Sequence, residues 1–463
     1  MKPLLGKLLL CSCLSVVVGC RESASPDAAP PRNTQAEVTL HVLVVDDPEL
    51  AAEVERQWTA RGGSLVVRET TAAKLAEPAT QHLNADVIVY PTSLLGELVE
   101  RHLVAPVSRE TLNDPEFHRR DILELPRLND CVFGGQTYAV SMGSPAPVLY
   151  YRRDLLAQAD CPVPATWKQL QETVARLQEE ASSPAIISLE PLSPRWAGQM
   201  LLNRAAGYVY QSDQLATVFD LDTMEPLLDS PPFVRALEEL MAVNGEAALT
   251  ATPRSCLEAI YSGETVMALT WPTPLANVDS DKQLDIAIAA SPGSEEVYRY
   301  REAAWSPRAA PQHVTLAGLS GRLASVTQYS SSPAASELFL IWLAGKEMSP
   351  ILSRRSLHTT WFRRSQFGTP SSWMESTNGE LAKEYAEVTH FAQKECPRFQ
   401  SLRLPGTIRY LAALDAAVAR AVSGEVPAEQ ALGAAADEWH EITRELGVER
   451  QRSAHRRSLG LGR

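Results

Sequence analysis

Several things are scarce in this sequence of 463 residues. Aromatic side chains make up only 6% of it. Beyond the first twenty positions there is no uncharged apolar run of 18 residues, whereas a membrane-spanning helix needs roughly 20. Positive charge is outweighed, with 43 Lys and Arg against 56 Asp and Glu for a formal charge of −13. Such a chain repels phosphate, and without a compact basic face it is not expected to bind nucleic acid. The signatures of catalysis are missing too. There is no HExxH, no Walker loop and no GxGxxG after a strand. Gly318-Leu-Ser-Gly321 lacks the spacing of a nucleophile elbow. The nine histidines show no metal-ligand spacing. No metal, cofactor or catalytic residue is expected, and an enzyme would have to be a lipoprotein hydrolase whose triad assembles only in space. Cys131, Cys161, Cys256 and Cys396 are far apart and form no CxxC, so disulfides and buried thiols both remain open.

What is present begins with a leader. Lys2 and Lys7 precede the apolar stretch Leu8 to Val18, which has the length of a signal-peptide core. It ends in Val17-Val18-Gly19-Cys20, which resembles a bacterial lipobox. That resemblance implies cleavage after Gly19 (signal peptide 1–19), lipid on Cys20, and an extracytoplasmic protein anchored to a membrane. Residues 20–37, rich in Pro, Ala and Ser, then read as a flexible tether.

The remainder is longer than one hydrophobic core usually organises, so two domains are expected. Val42 to Val45 form a strand with no polar face, and Asp47-Pro48 form a helix start. Leu50, Ala51, Val54 and Trp58 give that helix one apolar face. Further strands at 64–69 and 85–91 make the alternation of a parallel α/β sheet. Downstream, Thr166 caps an amphipathic helix, Thr265 to Trp271 is a strand, and two helices close the chain. Trp58, Trp167, Trp342 and Trp439 lie on apolar helix faces and are assigned to the core. The basic stretch 448–463 shows no apolar periodicity and reads as disordered.

Four blocks, in order, carry a resemblance: "ADVIVYPTSLLGELVERHLVAPV", "GGQTYAVSMGSPAPVLYYRRDLLAQADCPVPATWKQL", "SGETVMALTWP" and "SGEVPAEQALGAAADEW". Together the chain resembles the extracellular solute-binding proteins of the maltose-binding-protein type, the receptor components of ABC importers. It departs from their pattern at Arg152, where asparagine is usual, and at Phe133, where tryptophan is common. The resemblance implies an α/β, two-lobed periplasmic-binding-protein-like fold (type II), each lobe a sheet flanked by helices. Lobe I would hold 38–140 and 286–365, and lobe II 141–285 and 366–447. A small-molecule solute, a sugar on this reading, would be caught in the cleft by hinge closure and passed to an ABC permease. The alternative partner is a membrane receptor that senses the loaded state.

In open α/β sheets ligands bind beyond the carboxyl ends of the strands. This selects Asp46, Asp47, Tyr90 and Trp271. An aromatic face can cover a sugar's C–H surface, and a carboxylate can accept from its hydroxyls. Asp47 is equally suited to capping a helix, and Trp271 to core packing. Trp196, Trp305, Trp361 and Met142 complete the candidate ligand-binding set.

Overall fold

The computed structural model describes residues 38–77, 80–179, 186–212, 215, 218–273, 275, 284–369 and 379–462. The leader, Cys20 and the tether lie outside the described residues.

Five strands form the first sheet, in the order Leu65–Thr70, Leu40–Val45, Val87–Pro91, Arg322–Val326 and Val140–Ser141. The first three are parallel, while Arg322–Val326 runs antiparallel to both of its neighbours. Apolar side chains occupy both faces of Leu40–Val45, because helices cover both sides. Asp47 caps the helix Pro48–Ala60 by accepting from Leu50 N at 3.2 Å, and Leu50, Ala51 and Val54 point inward.

The second sheet has four strands, ordered Ile286–Ala290, Val148–Arg152, Thr265–Thr270 and Ile186–Leu189. All six residues of Thr265–Thr270 are buried. Beside this sheet lies the helix Ala197–Val209, buried along its whole length between surrounding elements. It packs against the helices Pro231–Val243 and Thr407–Val422.

Two expectations are corrected. The expected return to lobe I is at residue 286, but Ile286–Ala290 pairs antiparallel with Val148–Arg152 in the second sheet. The hairpin Ser294–Arg299/Ala304–Gln312 stays with lobe II as well, packed on the helices Ala197–Val209 and Pro231–Val243. The chain rejoins the first sheet only at Arg322–Val326. A short apolar strand carries no mark of which sheet edge it will join.

The second correction concerns the tail, which is a helix, Val448–Ser458. Its buried positions are Gln451, Ala454, His455 and Ser458, spaced three, one and three apart on one face. Three of the four are polar, so a search for apolar periodicity passes over them. Tertiary hydrogen bonds hold this face in place. Gln451 Nε2 donates to Pro405 O at 2.8 Å, and Arg403 donates to Ser458 O at 2.9 Å. Arg457 makes a forked pair with Glu100 at 2.9 and 2.7 Å, which ties the tail to the helix Leu95–Glu100 of lobe I.

Trp167 and Trp439 are fully buried, and Trp58 and Trp342 are partly buried against Phe339. Cys131, Cys161, Cys256 and Cys396 are unbridged thiols. Burial raises the thiol pKa of Cys131 and Cys256 above the ordinary value.

Candidate ligand-binding cleft

A cavity of about 320 Å³ opens where the carboxyl ends of the first sheet's parallel strands face the start of the helix Ala197–Val209. From lobe I come Asp46, after the first strand, and Thr71 to Ala73, after the second. Pro91 and Ser93 follow the third, and Ser320, Arg322 and His358 complete that wall. Lobe II supplies the turn Pro194-Arg195-Trp196, Gln199, and Ile408, Leu411, Ala412 and Asp415 from the helix Thr407–Val422.

Asp46 sits in the left-handed region at φ 51°, which turns its carboxylate back over the next loop. Its Oδ2 accepts from Ala72 N at 3.1 Å and from the Arg195 guanidinium at 3.0 Å, a bond that crosses from one lobe to the other. A second pair between the lobes joins Arg254 to Glu49 at 2.9 Å. One layer beneath the cavity floor, Asp47 accepts from the helix amide of Leu50 and from Arg322 Nε at 3.1 Å. Arg322 also donates to Asp46 O at 3.2 Å. The guanidiniums of Arg195 and Arg322 are therefore answered by the carboxylates of Asp46 and Asp47.

Trp196 lines the cavity and stacks on the His358 ring, with centroids 5.5 Å apart and planes 21° apart. Burial, and then the guanidiniums of Arg322 and Arg195, hold the His358 imidazole well below its usual pKa, so it is neutral. Its Nδ1 lies 2.9 Å from Ser320 Oγ. That pair lacks what a catalytic triad needs. Among the described residues no carboxylate is hydrogen-bonded to His358, and the surrounding positive charge disfavours the imidazolium a general base must form. Burial also raises Asp415 to about 6, against the backbone amides of Gly198 and Arg195, which favour its ionised form.

Of the residues expected at the site, Asp46 and Trp196 line the cavity. Trp271 does not face it. Fully buried, it donates from Nε1 to Leu357 O at 2.8 Å and meets Trp196 edge-on at 5.2 Å, behind the wall. Asp47 is the helix cap and ion-pair partner described above. Tyr90 is in the lobe I core, its hydroxyl 2.7 Å from Ser325 Oγ and its pKa raised by burial. Met142 packs in the same lobe with Phe339 and Leu340, and Trp361 is buried in the larger core. Trp305 is on the lobe II hairpin, with Tyr298 at 5.3 Å and the Arg235 guanidinium 4.7 Å from its ring. Asp46, Asp47 and Trp271 follow the ends of their strands whereas Tyr90 lies within Val87–Pro91, and the side that each side chain faces depends on which elements cover the sheet.

Arg195, Gln199, Ser320, Arg322, His358 and Asp415 escaped the sequence reading. For Arg322 a signal existed. It is the one charge in the short run "GRLASV", and a charge in a buried strand demands a buried partner. The others belong to turns and helices brought together only in space.

The sequence profile described as the bacterial extracellular solute-binding protein matches residues 67–349. The chain belongs to that family. Three curated binding proteins, two from Brucella abortus strains and one from Brucella suis, are 27% identical to it over 158 residues. That stretch is 34% of this chain and spans 38% of the length of those relatives. Among solved structures, this solute-binding protein is similar to a ribitol-bound ABC transporter solute-binding protein from Agrobacterium radiobacter. The TM-score is 0.65 at 17% identity, covering 88% of this chain and 98% of that one. Maltose-bound MalE3 of T. maritima gives 0.64 at 15% identity, with 88% and 100% covered. The D-mannitol-bound solute-binding protein of Agrobacterium vitis gives 0.63 at 14%, with 88% and 99% covered. At these identities the likeness is one of fold: two α/β lobes with a cleft between them. Among the described residues, no helix is long and apolar enough to cross a membrane, and no group of His, Cys, Asp and Glu is arranged to hold a metal ion.

Proposed function

We propose that this protein captures a small, uncharged, polyhydroxylated solute, a sugar or polyol, in the interlobe cleft and delivers it to the permease of an ABC importer. The observation that carries this is that the charges of the cleft are already engaged within the protein. Arg195 and Arg322 are answered by Asp46 in the wall and Asp47 beneath the floor, the Asp415 carboxylate accepts from the amides of Arg195 and Gly198, and His358 is neutral. A charged solute would leave one of these groups uncompensated, whereas a neutral one only exchanges hydrogen bonds with them. Trp196 offers an aromatic face for C–H surface. At about 320 Å³ the cavity suits a solute of one or two rings, at the low end of the roughly 300–1,000 Å³ of ligand pockets. The similar structures named above hold ribitol, maltose and D-mannitol, which agrees with this class.

The test is thermal unfolding against a panel of sugars, polyols, amino acids and peptides, with small-angle scattering on each hit. A cognate sugar or polyol is expected to add ~3 kcal/mol of apparent stability at a hundredfold excess over Kd and to contract the particle. A panel in which amino acids or peptides raise the transition while sugars and polyols leave it unmoved overturns the carbohydrate assignment.

We further propose that lipid on Cys20 holds the protein at the outer face of a membrane. Cys20→Ser is expected to abolish metabolic lipid labelling and detergent partitioning. Persistent label on the variant would refute the anchor.

A further inference from the structure

Asp415 lines the cleft from the helix Thr407–Val422, yet both of its carboxylate oxygens are turned to the backbone of another element. Oδ2 accepts from Arg195 N and Oδ1 from Gly198 N, each at 2.7 Å. Gly198 N belongs to the first turn of the helix Ala197–Val209, where amides have no intrahelical acceptor and the helix dipole presents its positive end. The residue at the capping position is Trp196, whose side chain makes no cap hydrogen bond. An acceptor that helices normally take from their own chain is supplied here by a second helix.

Two further features single out the arrangement. Arg195 holds φ at +86°, a left-handed conformation that a residue with a Cβ adopts only when its surroundings impose it. Gly198 lies so close to the helix Thr407–Val422 that a Cβ there would stand 3.1 Å from Leu414 Cβ. Leu414 is the neighbour of Asp415 in the chain, so this close approach brings the carboxylate within reach of both amides. The turn held in this way carries two groups of the cleft: the Trp196 ring, and the Arg195 guanidinium that reaches Asp46 of lobe I.

We infer that Asp415 is the positioning residue of the binding site, its carboxylate clamping the Pro194-Arg195-Trp196 turn so that Trp196 and Arg195 meet the solute in a fixed geometry. This rests on the cleft being the solute site. The clamp itself, however, can be read without a solute.

Asp415→Asn keeps the size of the side chain but loses the charge and one of the two acceptors. The reporter is the exciton-coupled circular dichroism of the edge-on Trp196–Trp271 pair in ligand-free protein, isolated by subtracting Trp196→Phe in each background. Asp415→Asn is expected to remove most of that couplet, and Asp415→Glu to restore part of it. An unchanged couplet in Asp415→Asn overturns the inference. Affinity is then measured with ribitol and maltose as probes. The variant is expected to weaken whichever binds by about tenfold, in line with the loss of a charge-assisted hydrogen bond. In a Trp196→Phe background the same change is expected to cost no more than about threefold, because the two positions act as one unit. Full additivity of the two substitutions would also refute the clamp. Should neither probe bind the parent protein, the choice of solute fails, while the ligand-free couplet still decides the role of Asp415.

Discussion

Asp47 and Arg322 form an ion pair of 3.1 Å beneath the cleft floor, with both side chains almost entirely withdrawn from solvent. Removing one partner leaves the other as an uncompensated buried charge, which costs about 3–5 kcal/mol. Asp47→Ala is therefore expected to lower the unfolding free energy by at least that much, since the helix cap is lost as well. Arg322→Met placed on top of it should recover part of the loss. Urea denaturation measures both, and a cost below ~1 kcal/mol for the single change would contradict the burial of the pair.

The two edge-on indoles should separate stability from binding. Trp271 is enclosed, so Trp271→Ala is expected to cost the ligand-free protein about 3–5 kcal/mol. Trp196 borders open space. Loss of its ring face should weaken the cognate solute by about tenfold or more, through roughly 60 Å² or more of apolar cover at 25 cal/mol per Å². Calorimetric Kd values beside melting temperatures of the free proteins distinguish these roles. A Trp271→Ala variant of unchanged stability would place that ring elsewhere.

Two groups at the site should give stability opposite dependences on pH. His358 is kept neutral in the folded chain, whereas an unfolded chain protonates it near 6.5. Its contribution is complete above that pH and is lost as the pH falls through it. Asp415 keeps its proton up to about 6 when folded but releases it near 3.8 when unfolded. Its contribution is complete below 3.8 and is lost as the pH rises towards 6. Unfolding free energies across pH 4 to 7 should show His358→Asn flattening the acid-side loss and Asp415→Asn flattening the opposing slope. Superimposable profiles for variants and parent would rule out both assignments.

The docked tail can be tested at Ala454, which is fully buried. Ala454→Asp would place an unpaired carboxylate against the His455 and Phe219 side of the interface, and is expected to cost ~3 kcal/mol or more. In an undocked tail the same change would leave thermal unfolding unaltered.

Much of this architecture follows from local chemistry that can be read along the chain. The unbroken apolar run Val42 to Val45, the Asp47-Pro48 helix start and the strand ending at Pro91 define the first sheet and the end at which its cavity opens. The apolar stripes through Trp167 and Trp439 place both rings in the core. These features depend on periodicity, capping and strand length, which involve neighbours a few residues apart. Tertiary structure decided the rest. Whether Trp271 or Trp196 met the cavity depended on how the end of the strand Thr265–Thr270 and the start of the helix Ala197–Val209 packed together. The edge that Ile286–Ala290 joined was settled by a strand more than a hundred residues away. The tail helix was set by polar residues whose partners, Glu100, Arg403 and Pro405, are remote in sequence. Asp415 acquired its role because Gly198 allowed two helices to approach closely. Hydrogen bonds and ion pairs of this kind are short-ranged in space and indifferent to separation along the chain, so no local pattern announces them.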